Sequence, residues 1–300
     1  MLWTRGHRSS SSSRWRGAGL AVALAGLAPG TGAATEIADK AGFTLFTPTP
    51  RSLMRELSAD RPDKTESPHT VDAGHFQLEM DLVSYVSDHY RRGGENTRSE
   101  AWSAAPMNLK LGLLNDTDFQ LMLEPYSEVR EHDRANGTSE HHSGFGDLTF
   151  RLKKNLWGND RGATALALMP FLKLPTNEDH LGNHSVEGGL IIPFGLELPY
   201  GWELGTTTAA AGVRNQDDSG YQAAFAQSVT LGHDLTQRLA GYAEFFAEIG
   251  TDNGSDWVGT VDLGLTYSVT SDLQLDAGVN VGVTEAADDV NPFVGLTWRY

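Results

Sequence analysis

Cysteine is absent from the 300 residues, so no disulfide framework, thiolate metal site or thiol nucleophile is available. Basic residues are scarce. Lys and Arg number 23 against 39 Asp and Glu, a formal charge of −16. A nucleic-acid binder needs a basic footprint, and this chain has the opposite balance. Long apolar runs are also missing. Mean hydropathy is −0.34, and no 18-residue apolar stretch follows the N-terminus, which excludes a bundle of transmembrane helices. Glycine, by contrast, is plentiful: 33 residues, about 11% against a usual ~7%.

Residues 1–34 read as a secretory signal peptide. Arg5, Arg8, Arg14 and Arg16 form a basic start, Gly17 to Ala28 a short apolar centre, and Pro29 to Ala34 a small-residue cleavage region. The apolar centre is too short to span a membrane, which takes ~20 residues. Cleavage after Ala34 would leave 19 basic and 39 acidic residues. The chain is therefore expected to be exported. Residues 35–70 follow as an extended arm. Pro48, Pro50, Pro62 and Pro68 deny it a long helix or a central strand, although a short helical turn fits at 52–57. The arm either enters a lumen as a plug or gate, or serves as a periplasmic tether; its composition suits both.

Residues 71–300 form the main domain, and from Phe76 the apolar period is two. Phe76, Leu78, Met80 and Leu82 alternate with Gln77, Glu79 and Asp81. Leu263, Leu265 and Tyr267 alternate with Asp262, Thr266 and Ser268. Twelve segments of roughly 8–13 residues show this pattern, each with one apolar side. Their connections alternate between long and short. Residues 87–100, 130–144, 175–184, 214–220, 250–256 and 285–291 are the longer ones; 115–118, 158–160, 199–201, 234–236 and 270–272 are tight turns. Together these predict an all-β fold: a transmembrane up-and-down antiparallel β-barrel of about 12 strands, with short periplasmic turns and longer extracellular loops, in the cell outer membrane. Lipid cannot satisfy backbone N–H and C=O groups, so a sheet crossing it must close on itself, with apolar side chains outward.

The last strand ends in Gly295-x-x-Trp298-x-Tyr300. This resembles the C-terminal assembly signal of bacterial outer-membrane barrels, although Phe293 stands where that pattern usually starts with a polar residue. The resemblance implies the barrel-assembly machinery as a partner of this strand.

Three stretches carry a wider resemblance, at Ser58–Glu79, Ser143–Lys153 and Met169–Thr176. They are similar to the outer-membrane family named for the meta-pathway of phenol degradation. The resemblance runs from about Leu45 to Tyr300. It implies a transporter for aromatic or other small hydrophobic compounds. It brings no catalytic residues and no cofactor.

The inner face is the candidate functional surface. On these parities it holds Glu79, Asp81, Lys110, Glu124, Asp147, Arg151, Lys153, Lys173, Glu187, Glu203, Glu244, Glu248, Asp262, Asp276 and Arg299. Charges lining a conduit bias which solutes pass, but they also fit cross-lumen pairing, since buried charges must be paired. Lys110, Arg151, Lys153 and Lys173 come from the second, fourth and fifth strands and make one wall basic. Tyr85, Trp157, Tyr200, Trp202, Trp257, Tyr267, Trp298 and Tyr300 near strand ends fit aromatic girdles. His141, His142, His180 and His184 could offer imidazoles to a metal, but no carboxylate frame accompanies them, and no metal is expected. His141, Ser143 and Asn155 superficially suggest a lipase or esterase. Twelve extended residues place Ser143 ~40 Å from Asn155, beyond hydrogen-bond reach, so no enzyme is expected. The chain is read as a passive channel for small organic solutes surrounded by outer-membrane lipid, with a non-transporting envelope-structural or interaction barrel as the alternative.

Overall fold

The computed structural model describes residues 39–92, 95–179, 181–182, 184–215, 219–252 and 255–300. The signal-peptide reading, 1–34, and the start of the arm, 35–38, lie outside the described residues. No described helix is long and apolar enough to cross a membrane. The only helical elements among the described residues are two short 3-10 turns, at Arg51–Leu53 and Pro199–Gly201. The first overlaps the turn expected at 52–57 only at residues 52 and 53, since Met54 is already extended.

Everything else regular is strand. The segments are β1 (Phe76–Arg92), β2 (Glu95–Ala104), β3 (Met107–Leu114), β4 (Thr117–Leu123), β5 (Tyr126–Asp133), β6 (Thr138–Gly144), β7 (Leu148–Trp157), β8 (Thr164–Leu174), β9 (Glu187–Leu198), β10 (Trp202–Arg214), β11 (Tyr221–Asp234), β12 (Leu239–Gly250), β13 (Val258–Thr270), β14 (Leu273–Gly282) and β15 (Val290–Arg299). Six of them are halves of three longer wall strands. β2 and β3 are interrupted at Ala105 and Pro106, where Ala105 has φ 56°. β4 and β5 are interrupted at Glu124 and Pro125, and β6 and β7 at residues 145–147. Proline has no N–H to give to a ladder, which accounts for two of the breaks. Counted as wall strands, the result is a closed, antiparallel, 12-stranded barrel. β15 pairs with β1 to shut it, with Leu78 opposite Trp298 and Asp81 opposite Gly295.

Side-chain alternation shows what the wall faces. On β13, Asp262 is fully buried while Leu263 beside it is 50% exposed. Val261, Leu265, Tyr267 and Val269 are exposed on the same side, as are Leu275, Val281 and Val294 on neighbouring strands. So broad an exposed apolar band has no place on a monomer in water. It fits a wall whose solvent is hydrocarbon. Tyr200, Trp157, Trp202, Trp257, Tyr267, Trp298 and Tyr300 are all exposed near strand ends, and the Trp298 and Tyr300 rings lie 5.9 Å apart.

Two expectations need correction. Residues 87–100 and 130–144 are not long loops. β1 runs on to Arg92 and meets β2 from Glu95, while β5 and β6 are joined by residues 134–137 alone. Polar residues occupy both faces here because this panel projects past the lipid into water. The backbone ladder persists where the apolar alternation stops. The inner face is also not wholly polar. Met169, Ile191, Ala209, Ala226 and Phe246 form a buried apolar cluster on the inward parity of β8 to β12.

Replacing Leu263 with Arg puts a charge in the middle of the apolar band. It is expected to lower folding stability in phospholipid vesicles by about 2–4 kcal/mol, against about 0–1 kcal/mol for Val283→Arg at the strand end. Urea titration of vesicle-refolded protein measures the difference.

Candidate functional site

The segment from Lys40 to His75 makes its polar contacts with the inward-facing side chains and the short-turn end of the barrel. Its outer part sits at that end. Leu45 N–H donates to Leu113 O at 2.8 Å, and Lys40 and Arg55 both reach Asp160, at 2.8 and 3.1 Å. Arg299 donates to Asp272 at 2.9 Å and to the Arg55 carbonyl at 2.9 Å.

Residues 58–71 then meet wall strands around most of the circumference, and here charge decides the fit. On one side stand Lys110 on β3 and Arg151 and Lys153 on β7. Asp60 receives both Lys110 and Lys153 at 2.5 Å, and Lys110 also pairs with Glu79. Glu66 receives Arg151 at 2.7 Å. On the other side stand Asp81, Glu244, Asp262 and Asp276. Arg61 bonds Asp81 at 2.7 Å and Asp276 at 2.6 Å. Lys64 reaches Asp262 at 3.1 Å and Thr260 at 2.7 Å, with its ammonium 4.9 Å from the centre of the Phe246 ring. The arm therefore offers acid to the basic wall and base to the acidic wall, with Asp63, half-buried near Glu244, as the exception.

Hydrogen bonds from hydroxyl, amide and backbone donors fill the gaps. Thr65 Oγ1 lies 2.6 Å from both Ser228 Oγ and Glu244 Oε1. Glu66 N–H donates to Thr207 Oγ1 at 2.9 Å, and Val71 N–H to Asp118 at 3.0 Å. Asn155 donates to the Pro68 carbonyl at 2.9 Å. Buried polar groups are tolerated only when satisfied in this way.

Gly295 has a role of its own. It lies in register between Asp81 on β1 and Asp276 on β14. The Arg61 guanidinium rests on its backbone where a Cβ would otherwise be. Only glycine lets the guanidinium lie this close to the backbone and reach both carboxylates. The sequence pattern assigns Gly295 to the assembly signal, but its surroundings give it a packing reason as well.

The remaining expected residues fall elsewhere. Asp147, Lys173 and Glu187 form a separate group on β8, β9 and the residue before β7. Lys173 lies 2.5 Å from Glu187 and 3.6 Å from Asp147, which accepts from Asn177 at 2.6 Å. Lys173 therefore belongs to a different constellation from Lys110, Arg151 and Lys153. Glu124 follows β4 at the break, where its carbonyl accepts the Gly146 N–H at 2.9 Å. Glu248 is half-buried on β12, and Glu203 is exposed on β10. His141 pairs with Glu128 at 3.2 Å, Ser143 N–H donates to Asp179, and Asn155 is committed to the arm, so these three do not converge. Among the described residues no three His, Asp or Glu side chains gather around a common metal position; His180 lies outside them. Sequence reasoning missed Asp60, Arg61, Lys64 and Glu66 as counter-ions. The available signal was the dense sign alternation in Asp60-Arg61-Pro62-Asp63-Lys64-Thr65-Glu66.

Against this geometry the comparisons are specific about family. The family model described as "Putative MetA-pathway of phenol degradation" matches residues 59–300, and the chain belongs to that family. No curated protein matches the sequence. Among solved structures, the COG4313 outer membrane channel from Pseudomonas putida F1 is similar at TM-score 0.58 and 13% identity, covering 81% of this chain and 100% of that one. The translocator domain of the autotransporter NalP from Neisseria meningitidis gives TM-score 0.47 at 10% identity, covering 75% and 88%. The first likeness places the fold among outer-membrane β-barrels.

Asp60→Asn leaves Lys153 without a carboxylate in a buried site. The expected loss is about 3–5 kcal/mol, readable as a lower urea midpoint, and Lys153→Met in the same chain should recover part of it. The rim gives a pH expectation. Burial pushes Asp160 up, but hydrogen bonds from Lys40 and Asn115 and the Arg55 charge outweigh it and hold the carboxyl below its ordinary value. Burial likewise raises Asp272, but Arg299, the Ser271 hydroxyl and the Arg51 charge together outweigh it and hold the carboxyl below its ordinary value. Both groups therefore stabilise the seated arm fully above the ordinary carboxylate value near 4, and lose that contribution as pH falls through their depressed values. Protease should cleave residues 39–57 of folded protein faster at pH 3 than at pH 7, and Asp160→Asn should raise the pH 7 rate toward the acid one.

Proposed function

We propose that the protein is an outer-membrane channel for passive uptake of small organic solutes, aromatic compounds among them, and that residues 39–75 are its plug. The observation that carries this reading is the polarity of what fills the barrel. A rigid envelope strut of this width would be better stabilised by apolar packing, since buried ion pairs are weak contributors to stability. Here the interior is lined with opposed basic and acidic walls, and a separate segment of opposite local charge occupies the space between them. Such a segment is exchangeable for water and solute in a way that a hydrocarbon core is not. The family's description names phenol degradation, which suits an aromatic solute, and the similar Pseudomonas putida protein is named an outer membrane channel. The Asp147, Lys173 and Glu187 group, on the loop side of the arm, faces solute arriving from outside. Trp298 and Tyr300, exposed on the closing strand, suit recognition by the barrel-assembly machinery. The chain is delivered to the outer membrane by its N-terminal signal.

The alternative, a non-transporting barrel, draws on the same arm, because a seated plug closes the lumen. Conductance separates the two. Full-length protein in planar bilayers should conduct rarely. The variant lacking residues 39–70, and Arg61→Ala/Lys64→Ala, should conduct at least tenfold more often. Liposomes carrying the arm-deleted protein should take up phenols and aromatic acids. A folded, inserted barrel without the arm that neither conducts nor admits any solute of the panel would establish the structural reading.

A further inference from the structure

The conduit leaves one surface unused: the outer face of the tall panel made by β1, β2, β5 and β6. Its lower edge is aromatic. The Tyr85 and Trp102 rings lie 4.4 Å apart, and Tyr126, opposite Ala104, is exposed beside them. Above this belt two rows run in register across the four strands. One is Ser87, Glu100, Arg130 and His141; the next is His89, Arg98, His132 and Ser139. Both rows continue the parity that carries the lipid-facing side chains lower down.

The two faces of this panel differ in net charge. The outward parity holds Arg98, Arg130, His89, His132 and His141 against Glu100 and Glu128. The inward parity of the same strands holds Asp88, Glu131, Asp133 and Glu140 with His142. In a chain of net charge −16, an outward face whose two Arg balance its two Glu, with three His beside them, is a local relief from acidity. Arg98 and Arg130 stay 45% and 69% exposed although each is held by a carboxylate, Glu100 at 2.7 Å and Glu128 at 2.5 Å. A guanidinium has five N–H donors, so one carboxylate fixes its orientation and leaves donors pointing outward. Arg98, Arg130, His132, Ser139 and His141 border a shallow cleft of about 400 Å³ together with Glu100, Glu131 and Glu140, whose carboxylates can accept from sugar hydroxyls.

We propose that this face binds the phosphate-bearing glycolipid headgroups of the surrounding outer leaflet, with Arg98 and Arg130 taking the phosphates and the cleft receiving the sugar. The proposal rests on the reading of the chain as an outer-membrane barrel. Two features favour a lipid over free phosphate. The face is continuous with the hydrocarbon-facing band, and it starts directly above the aromatic belt, at the height where headgroup phosphates lie. Arginine forks match phosphate oxygens bidentately.

Native mass spectrometry of full-length protein in detergent, titrated with bisphosphoryl lipid A, tests this. Wild type should retain the lipid; Arg98→Gln/Arg130→Gln should retain it at least tenfold more weakly, with unchanged heat-modifiable migration as the control for folding. Monophosphoryl lipid A should bind less tightly than the bisphosphoryl form, and millimolar inorganic phosphate should not displace it. Equal retention by wild type and the double variant overturns the proposal, as does equal binding of fully dephosphorylated lipid. Displacement by inorganic phosphate overturns the lipid assignment. Conductance in glycolipid-free bilayers bears only on the conduit: a silent barrel that still retains lipid A defeats the uptake reading and leaves this one standing.

Discussion

The interaction on which the rest of the structure depends is the charge match between residues 60–66 and the two walls of the lumen. Asp60 and Glu66 neutralise Lys110, Lys153 and Arg151; Arg61 and Lys64 neutralise Asp81, Asp276 and Asp262. Without the arm the two walls would face each other across a gap that water must fill. With it, each of these buried charges has a partner within hydrogen-bond reach. The fit is specific in register as well as in sign. A shift of one residue in one direction would put Asp60 in Arg61's place against the acidic wall, and in the other would put Arg61 in Asp60's place against the basic one, exchanging attraction for repulsion either way.

The barrel itself follows from a simpler constraint. Lipid leaves backbone polar groups no partner but one another, so the sheet closes and its outward side chains become apolar. This is why strand number, strand parity and the sense of the wall could be read from the chain alone. On β13 and β14, Asp262 and Asp276 point in while Leu263 and Leu275 point out, as alternation requires. Legibility failed where the constraint ends. Above the membrane, β1, β2, β5 and β6 still pair, yet water bathes both faces, and polar residues at every position look like loops.

The candidate site was half legible. The wall residues were recognisable because each broke an apolar pattern at a fixed parity. Their partners were not, because the arm has no periodicity. Its shape comes from tertiary contacts spanning more than two hundred residues, such as Arg61 to Asp276. Periodicity reports which face a residue takes; it does not report what lies opposite. Cross-lumen pairing was therefore the natural expectation, and an inserted segment was the answer for most of the charges. Lys173 with Asp147 and Glu187 pairs wall to wall, as Lys110 also does with Glu79. The inner apolar cluster around Phe246 escaped notice for a related reason: in a barrel read as greasy outside and polar inside, Met169 and Ile191 have no assigned place.

The position of Arg61 has a consequence for how the molecule is completed. Its two carboxylates come from β1 and β14, and it rests on a glycine of β15. That seat spans the joint where the earliest strand meets the last. A portion of chain made before any strand finds its full set of contacts only after the final strand is in place. The arm is thus a latch across the join, and a barrel left unjoined has no complete seat for it.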